Sequence, residues 1–242
     1  MTPPDVHAPP HGTGMLLALD TATRHSGIAL FDGQQVLAEL NWYSTDGQTT
    51  ELLPRLSQLL AWQDLAPAAL RAVAVSLGPG SFTGLRVALS AAKGMALAHG
   101  LDLVGVPTLD ATAYPYLGLQ RPVCAVVAAG RGRVYWAAYR ATPAPGLVAV
   151  QAGEGTGWRG EYRHSDLAGL AASLEEPTMV AGELAPAMRG ELATRLGGHA
   201  LLAPPASCQL RAAAVAGIGW ARWRAGEVDD LAALSPIYLR EP

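Results

Sequence analysis

Three glycines and a serine in the first half of the chain have nearly the spacing of a phosphate-binding loop. Gly78, Gly80 and Gly84 follow an apolar, strand-like run and open a helix-like run, with Ser81 between them. Backbone N–H groups at such a helix start bind anions, and Asp20, which ends an earlier apolar run, could face a metal-bound nucleotide. The spacing is one residue off the dinucleotide fingerprint, and the Gly-Lys-Ser/Thr of a Walker loop is missing. We therefore favour the plainer alternative, a Gly/Pro turn in which a hydroxyl caps the helix.

Other catalytic patterns are missing from the sequence. It contains neither the Gly-x-Ser-x-Gly of a nucleophile elbow nor the His-Glu-x-x-His of a zinc protease. Cys124 and Cys208 are far apart and lack metal-type spacing, which is typical of buried thiols in a reducing compartment. We expect no protein-bound metal and a cytoplasmic location.

Composition argues against autonomous binding of nucleic acid or membranes. The formal net charge is -3, and no strongly basic run occurs. Charged residues make up 15% and hydrophobic residues 50% of the chain, which favours a large core or an apolar surface for a partner. No apolar run reaches the roughly 18 residues of a spanning helix. The nearest approach to a basic cluster is a set of scattered arginines, Arg131, Arg133, Arg159 and Arg163.

The first half of the chain must position the glycine-rich loop, and its pattern predicts three strands followed by alternating helices and strands. Asp32-Gly33 is a hairpin signal between the second and third strands. The predicted strands are 15–20, 26–31, 34–40, 72–77 and 102–106, and the predicted helices are 49–63 and 81–98.

The second half repeats this order of elements, and a segment at 107–121 links the two halves. The predicted strands are 122–129, 133–140, 146–152, 178–181 and 199–202, and the predicted helices are 165–174, 185–196 and 209–225. Two copies of such a unit predict two α/β lobes with a cleft between them.

The helix after the glycine-rich loop is unusually rich in small residues, among them Gly84, Ala88, Ala92, Gly94 and Ala96. Small residues three and four apart make a smooth strip on a helix, which lets a second helix or a sheet approach closely. Glycine inside a helix costs about 1 kcal/mol relative to alanine. The pattern thus predicts close packing against a partner helix, against the chain's own sheet, or against both.

Several segments resemble the bacterial TsaB (YeaZ) family. The resemblance is carried by LALDTATRHSGIALFDG and VSLGPGSFTGLRVALSAAKGMALAHGLDLVGVPTLDA, and it continues in GRVYWAAY and SPIYLR. It covers most of the chain beyond the first 14 residues, and the Gly-Pro-Gly-Ser-Phe-Thr-Gly-x-Arg block is its most specific part. Met15 is an alternative start of translation, a point that the sequence leaves open.

The resemblance implies an actin-like, Hsp70-like (ASKHA) α/β fold of two lobes, each of the ribonuclease H-like mixed-sheet type. The N-terminal, partner-binding lobe would comprise residues 15–108 with about 207–242, and the C-terminal lobe residues 109–206. Residues 1–14, rich in proline, would form a disordered tail.

The resemblance also implies a non-catalytic role in tRNA N6-threonylcarbamoyladenosine (t6A) synthesis. The partner would be a TsaD-type threonylcarbamoyl transferase, joined by a TsaE-type ATPase, with tRNA reached only through the complex. The chain alone would form a homodimer through the same surface. The first two helices would supply the interface residues Glu51, Leu52, Arg55, Leu56, Phe82, Thr83, Arg86, Val87 and Ser90.

Three departures from related sequences weaken a nucleotide site. Ala22 stands where nucleotide-binding members of the superfamily carry the glycine of Asp-x-Gly, Gln48 replaces a histidine, and 128–130 reads Ala-Ala-Gly rather than Asp-Ala-Arg. We therefore expect no resident cofactor, with ATP or ADP bound weakly or trapped between subunits. The vestigial site would comprise Asp20, Thr21, Gly78, Gly80 and Ser81.

Two alternatives stay open. The chain would be a small-molecule kinase or ATPase of the actin-like superfamily if Asp20 positions a metal and the 78–84 loop holds phosphate. It would be a peptidase if Ser81 finds a histidine base, of which the sequence gives no sign.

Overall fold

Two five-stranded mixed sheets carry the fold, and both have the same strand order. The structure, a computed structural model, describes residues 14–44, 47–119, 121–139 and 161–239. In each sheet the first strand pairs with an antiparallel second strand on one side and with a parallel fourth strand on the other. This doubled order, 3-2-1-4-5, confirms the predicted actin-like fold of two ribonuclease H-like units.

The first sheet has the order β3-β2-β1-β4-β5. Asp32 starts the turn between β2 and β3, since its Oδ1 accepts hydrogen bonds of 2.8 Å from the N–H groups of Gln34 and Gln35. Gly33 follows at φ +91°, a conformation that favours glycine. The strands are β1 (Met15–Asp20), β2 (His25–Phe31), β3 (Val36–Tyr43), β4 (Leu70–Gly78) and β5 (Asp102–Pro107).

The second sheet has the order β10-β9-β6-β7-β8. A tight turn joins β6 to β7, with Gly130, Arg131 and Gly132 all at positive φ. The strands are β6 (Val123–Gly130), β7 (Arg133–Tyr139), β8 (Arg163–Asp166), β9 (Thr178–Glu183) and β10 (Ala200–Leu202).

Six α-helices lie in the described residues. They are α1 (Gln48–Trp62), α2 (Phe82–His99), α3 (Thr108–Ala113), α4 (Leu167–Ala172), α5 (Pro186–Leu196) and α6 (Ala212–Arg224). Alternating residues of β1 divide the packing of the first sheet: Leu17 and Leu19 share a core with α1 and α2, whereas Leu16 and Ala18 share one with α3 and α6. The second core also contains residues of β6 and β7, so it joins the two sheets.

The chain returns to the first sheet after α6. The N–H of Ile237 donates a 2.7 Å hydrogen bond to the carbonyl oxygen of Leu77, and Leu231 and Leu234 pack against the core beneath α2. The division into lobes at residues 108 and 207 stays a prediction, although these contacts agree with placing the C-terminal segment beside the first sheet.

Two elements differ from the sequence prediction. The third strand of the second sheet is β8, which occupies the start of the predicted helix 165–174, and α3 lies in the segment predicted as a link. Both are short, so they carry no periodic signal. The predicted strand 146–152 and residues 1–13 of the predicted tail lie outside the described residues. Within the described ranges, no helix is both long and apolar enough to cross a membrane.

Candidate functional site

The glycine-rich loop between β4 and α2 turns back onto the end of β1. Gly78 lies at φ +109° before a cis peptide bond to Pro79, and its N–H donates a 3.0 Å hydrogen bond to Thr108 Oγ1. Ser81 caps α2, because its Oγ accepts the N–H of Gly84 at 3.2 Å. The favoured interpretation of this loop as a capped turn is thus consistent with the structure.

Backbone groups of the loop are engaged by the β1–β2 turn. The N–H of Ser81 donates a 2.7 Å hydrogen bond to the carbonyl oxygen of Ala22, and Thr21 Oγ1 donates one of 2.6 Å to the carbonyl oxygen of Gly84. A methyl group on Gly80 would collide with the same Ala22 carbonyl. The glycines therefore allow close approach between two segments of this chain, in the place where a phosphate cradle would need open N–H groups.

Asp20 lies fully buried beneath this turn. Its Oδ1 accepts hydrogen bonds from Ser76 Oγ at 2.5 Å and from the N–H of Ala22 at 2.9 Å. Its Oδ2 has no hydrogen-bond partner among the described residues. Burial raises the pKa of Asp20 to about 7, although these two hydrogen bonds oppose the rise, and the nearby Glu183 adds to it. The structure places Asp20 and Thr21 beside Gly80 and Ser81, whereas the N–H of Gly78 is bonded to Thr108. That these five residues form a vestigial nucleotide site stays a prediction.

A cleft of about 870 Å³ separates the two sheets, and it is lined by Ser81 and Gln48 from one side and by Glu183 and Arg189 from the other. Gln48 Nε2 donates to the carbonyl oxygen of Thr23 at 2.6 Å, so this side chain holds the β1–β2 turn.

Glu183 bridges the cleft. Its Oε1 accepts hydrogen bonds from Thr23 Oγ1 at 2.8 Å and from the N–H of Leu210 at 3.4 Å. Its Oε2 lies 3.0 Å from His25 Nδ1. The carboxylate at the end of β9 therefore ties the second sheet to the β1–β2 turn and to the segment before α6.

Helix α2 has small residues on two faces with different surroundings. Gly84, Ala88, Ala92 and Ala96 are buried against the chain's own sheet and α1. Gly94 is exposed, and a methyl group added there would meet nothing within 4 Å. The structure thus uses one small-residue face internally and leaves another open.

The open face forms a groove of about 760 Å³ between the outer sides of α1 and α2. Leu53 is 54% exposed at one wall and Phe82 is 54% exposed at one end. No Asp or Glu occurs among the described residues that line it, which are Thr49, Leu52, Leu53, Phe82, Thr83, Arg86, Val87, Ser90, Ala91, Gly94, Met95, Ala98 and His99. An exposed apolar groove of this kind is a typical docking surface for a helix.

Six of the nine predicted interface residues line this groove. They are Leu52, Phe82, Thr83, Arg86, Val87 and Ser90.

The other three predicted interface residues lie elsewhere. Glu51 and Arg55 turn toward β3: Glu51 Oε2 accepts from Trp42 Nε1 at 3.0 Å, and the Arg55 guanidinium stacks 4.5 Å from the Trp42 ring centroid. Hydrogen bonds from Ser44 and Trp42 and the charge of Arg55 hold the pKa of Glu51 below its usual range despite partial desolvation. Leu56 is only 4% exposed and belongs to the core under α1 and α2.

Sequence reasoning missed seven lining residues: Thr49 and Leu53 on α1, and Ala91, Gly94, Met95, Ala98 and His99 on α2. Leu52, Leu56, Leu59 and Leu60 recur at helical spacing in α1, and Leu53 only broadens that apolar stripe. A helical projection of α2 puts Gly94 and Ala98 on the same face as the predicted Ser90, away from the buried stripe, and this is the signal that could have found them.

The described arginines of the scattered set lie in and beside the paired strands β7 and β8. Arg131 lies in the β6–β7 turn, Arg133 begins β7, and Arg163 pairs with Glu161 at 2.9 Å. Arg159 lies outside the described residues.

Comparison with known proteins shows which proteins this chain resembles. Residues 47–149 match the family model described as TsaD, tRNA N6-adenosine threonylcarbamoyltransferase. The chain is 35% identical over 128 residues to the tRNA threonylcarbamoyladenosine biosynthesis protein TsaB of Escherichia coli, covering 52% of this chain and 54% of that protein. It is 31% identical over 125 residues to TsaB of Bacillus subtilis, covering 52% and 55%.

A solved structure extends the likeness over nearly the whole chain. A Pseudomonas aeruginosa protein, described as uncharacterized with similarity to peptidase YeaZ, superposes with a TM-score of 0.73 at 25% identity, covering 94% of this chain and 100% of that one. The chain is thus similar to TsaB (YeaZ) proteins in sequence over about half of its length and in fold over nearly all of it. Its aligned part spans about half the length of the curated TsaB proteins that it matches. The fold that carries the groove between α1 and α2 and the β1–β2 turn is similar to that of this solved protein.

Proposed function

We propose that this chain serves in t6A synthesis as the non-catalytic subunit that pairs with a TsaD-type threonylcarbamoyl transferase. The observation that carries the proposal is the apolar groove between α1 and α2, with exposed Leu53 and Phe82 and no lining carboxylate among the described residues. Two helices of a partner seated there would complete a four-helix arrangement, and the small residues Ser90, Ala91 and Gly94 permit close approach. In the absence of the partner, the same groove pairs with a second copy of this chain.

The arrangement of the β1–β2 turn supports a non-catalytic role. In the loop that would cradle phosphate, the N–H of Ser81 donates to Ala22 and the carbonyl oxygen of Gly84 accepts from Thr21. The Ser81 hydroxyl accepts the N–H of Gly84 at the start of α2. A kinase or peptidase would need these groups free for a substrate. We propose accordingly that any ATP or ADP is bound weakly or between subunits, and that a TsaE-type ATPase and tRNA join only the assembled pair.

Reconstitution tests the proposal. Purified chain is combined with a TsaD-type protein, a TsaE-type ATPase, tRNA and threonylcarbamoyl-adenylate, and t6A is measured by mass spectrometry with and without this chain. We expect modification only in its presence. Full modification in its absence, or turnover of ATP by this chain alone, would contradict the role.

The surface is tested separately by Leu53→Asp and Ser90→Trp. Both side chains are exposed, so the variants are expected to fold, and both should abolish co-elution with the TsaD-type protein in size-exclusion chromatography. Leu201→Asp is the matched control, because Leu201 is 52% exposed on the second sheet. Normal pairing by folded Leu53→Asp and Ser90→Trp would show that docking occurs elsewhere.

A further inference from the structure

Arg86 is held in a fixed position at one end of the groove. Its guanidinium lies 3.8 Å from the centroid of the Phe82 ring, and its Nε donates a 3.1 Å hydrogen bond to Tyr238 Oη. The Phe82 and Tyr238 rings also contact each other, with centroids 5.3 Å apart. Tyr238 is itself anchored, because the preceding residue, Ile237, bonds to the carbonyl oxygen of Leu77.

This support leaves the outer part of the guanidinium available. Within the part of the chain that the structure describes, the two terminal nitrogens of Arg86 donate no hydrogen bond and make no ion pair, since only Nε has an acceptor. A guanidinium presents its donors in a rigid fork that matches the two oxygens of a carboxylate. Arg86 is thus oriented in advance, with its carboxylate-binding edge unused.

The charges around the groove decide what kind of occupant fits. Arg86 lies in the first turns of α2 and His99 in its last turn, and no carboxylate lines the groove between them in the described residues. Docking an apolar helix over Arg86 without an acceptor would bury an unpaired charge, which is strongly unfavourable. A second copy of this chain would present the same lining, because a two-fold pair apposes identical surfaces.

We propose that Arg86, held by Phe82 and Tyr238, binds an Asp or Glu side chain on an amphipathic helix of the partner and thereby favours pairing with the partner over pairing with a second copy. The inference rests on the proposed function, since it concerns the same groove. It assigns to the C-terminal segment around Tyr238 a part in positioning the recognition residue.

The test measures two affinities for each variant of the full chain. The dissociation constant with the TsaD-type partner is measured by calorimetry, and the self-association constant by analytical ultracentrifugation. Arg86→Met keeps an apolar stem and removes the fork, Tyr238→Phe keeps the ring and removes the oxygen that accepts from Nε, and Arg121→Met is a control at an exposed arginine outside the groove. Circular dichroism confirms folding.

We expect Arg86→Met to weaken binding to the partner about 30-fold, as truncation of one member of a buried charge pair does. Its self-association should be unchanged or tighter, because an unpaired charge has been removed. Tyr238→Phe should weaken partner binding several-fold and leave self-association unchanged. Raising NaCl from about 0.1 M to about 0.5 M should weaken the wild-type pair more than the Arg86→Met pair. Arg86→Glu should abolish partner binding, because it places two carboxylates together. Replacing the partner's Asp or Glu that contacts residue 86 with Lys should restore the attraction and the binding.

The outcomes separate the two proposals. If Leu53→Asp abolishes pairing and Arg86→Met binds the partner as tightly as the wild type does, the proposed contact between Arg86 and a partner carboxylate is wrong. The proposal that the partner docks in the groove is then retained. If Arg86→Met weakens hetero-pairing and self-pairing equally, Arg86 only supports the groove, and its selective role is wrong. If the wild-type chain does not bind the TsaD-type protein, both proposals fail.

Discussion

The hydroxyl of Thr21 donates a 2.6 Å hydrogen bond to the carbonyl oxygen of Gly84, which joins the end of β1 to the first turn of α2. The contact is possible because Gly84 has no side chain, and a methyl group at that position would overlap the carbonyl oxygen of Thr21. Since this carbonyl belongs to the backbone of the β1–β2 turn, it cannot move aside as a flexible side chain would. The first glycine of α2 therefore serves the internal packing of the chain.

Gly84→Ala should lower the free energy of unfolding by about 2 kcal/mol or more, because the backbone of α2 must shift away from β1. Urea denaturation followed by circular dichroism measures the change. Stability equal to that of the wild type would show that α2 can retreat from Thr21 at no cost.

Gly94→Ala should have the opposite effect on the isolated chain. An added methyl group meets nothing within 4 Å at this exposed helical position, so the higher helix propensity of alanine should raise the free energy of unfolding by about 1 kcal/mol. The same methyl group enters the groove, and we expect weaker pairing with a TsaD-type protein. If the stabilised variant pairs as tightly as the wild type, the partner does not approach α2 closely at Gly94.

Asp20→Asn should flatten the pH dependence of stability. Burial raises the pKa of Asp20 from 3.8 to about 7, so between these values the folded chain retains a proton that the unfolded chain releases. The contribution of Asp20 to the free energy of unfolding is therefore present in full below the unfolded pKa and is lost as the pH rises through the folded pKa. The asparagine variant carries no titrating group and should lack this decline, which is on the order of a few kcal/mol.

Urea titrations of both chains from about pH 4 to about pH 8 measure this difference directly, because the contributions of all other groups cancel in the comparison. The amide oxygen introduced by Asp20→Asn can still accept from Ser76 and Ala22, so the turn should be kept. Parallel profiles for the two chains would mean that the pKa of Asp20 is the same in the folded and unfolded states.

Glu183→Ala should loosen the two sheets relative to each other. It removes the acceptor of Thr23 Oγ1 and of the Leu210 N–H and the carboxylate facing His25, so we expect a loss of about 2 kcal/mol of stability. Hydrogen exchange should accelerate at residues of the β1–β2 turn and of the segment before α6. Glu191→Ala is the control, since its exposed pair with Arg195 contributes less than about 0.5 kcal/mol. Unchanged exchange in Glu183→Ala would show that the shared core alone holds the sheets together.

Sequence patterns predicted the regular elements where local signals are strong. β1 is a continuous apolar run and matched its predicted bounds, and α2 was predicted within a residue because Ser81 caps its start and Gly100 ends it in a left-handed conformation. β8 is a four-residue strand of polar sequence, and α3 has six residues that are all buried, so tertiary contacts rather than local pattern determine both.

The candidate site was predictable only in part, because helix orientation decides it. Leu53 and Leu56 are both leucines of α1, yet Leu53 is 54% exposed and Leu56 only 4%. Their difference depends on how α1 packs across α2 and β3, which the spacing of leucines leaves undetermined. The same holds for Arg55, whose stacking on Trp42 depends on a strand contributed by a different segment.

Helix α6 follows strands β1 to β10 in the sequence but covers the face of the first sheet opposite α1 and α2, where it packs against β1, β2, β4 and β5. Strands β1, β2, β4 and β5 are therefore synthesised well before the helix that buries one of their faces. A chain still emerging from the ribosome without residues 212–224 would expose one face of the first sheet. The helices α1 and α2, which form the groove, would then pack on a sheet that is covered on one face only. Synthesis of residues 212–224 is thus required before the first sheet can be covered on both faces.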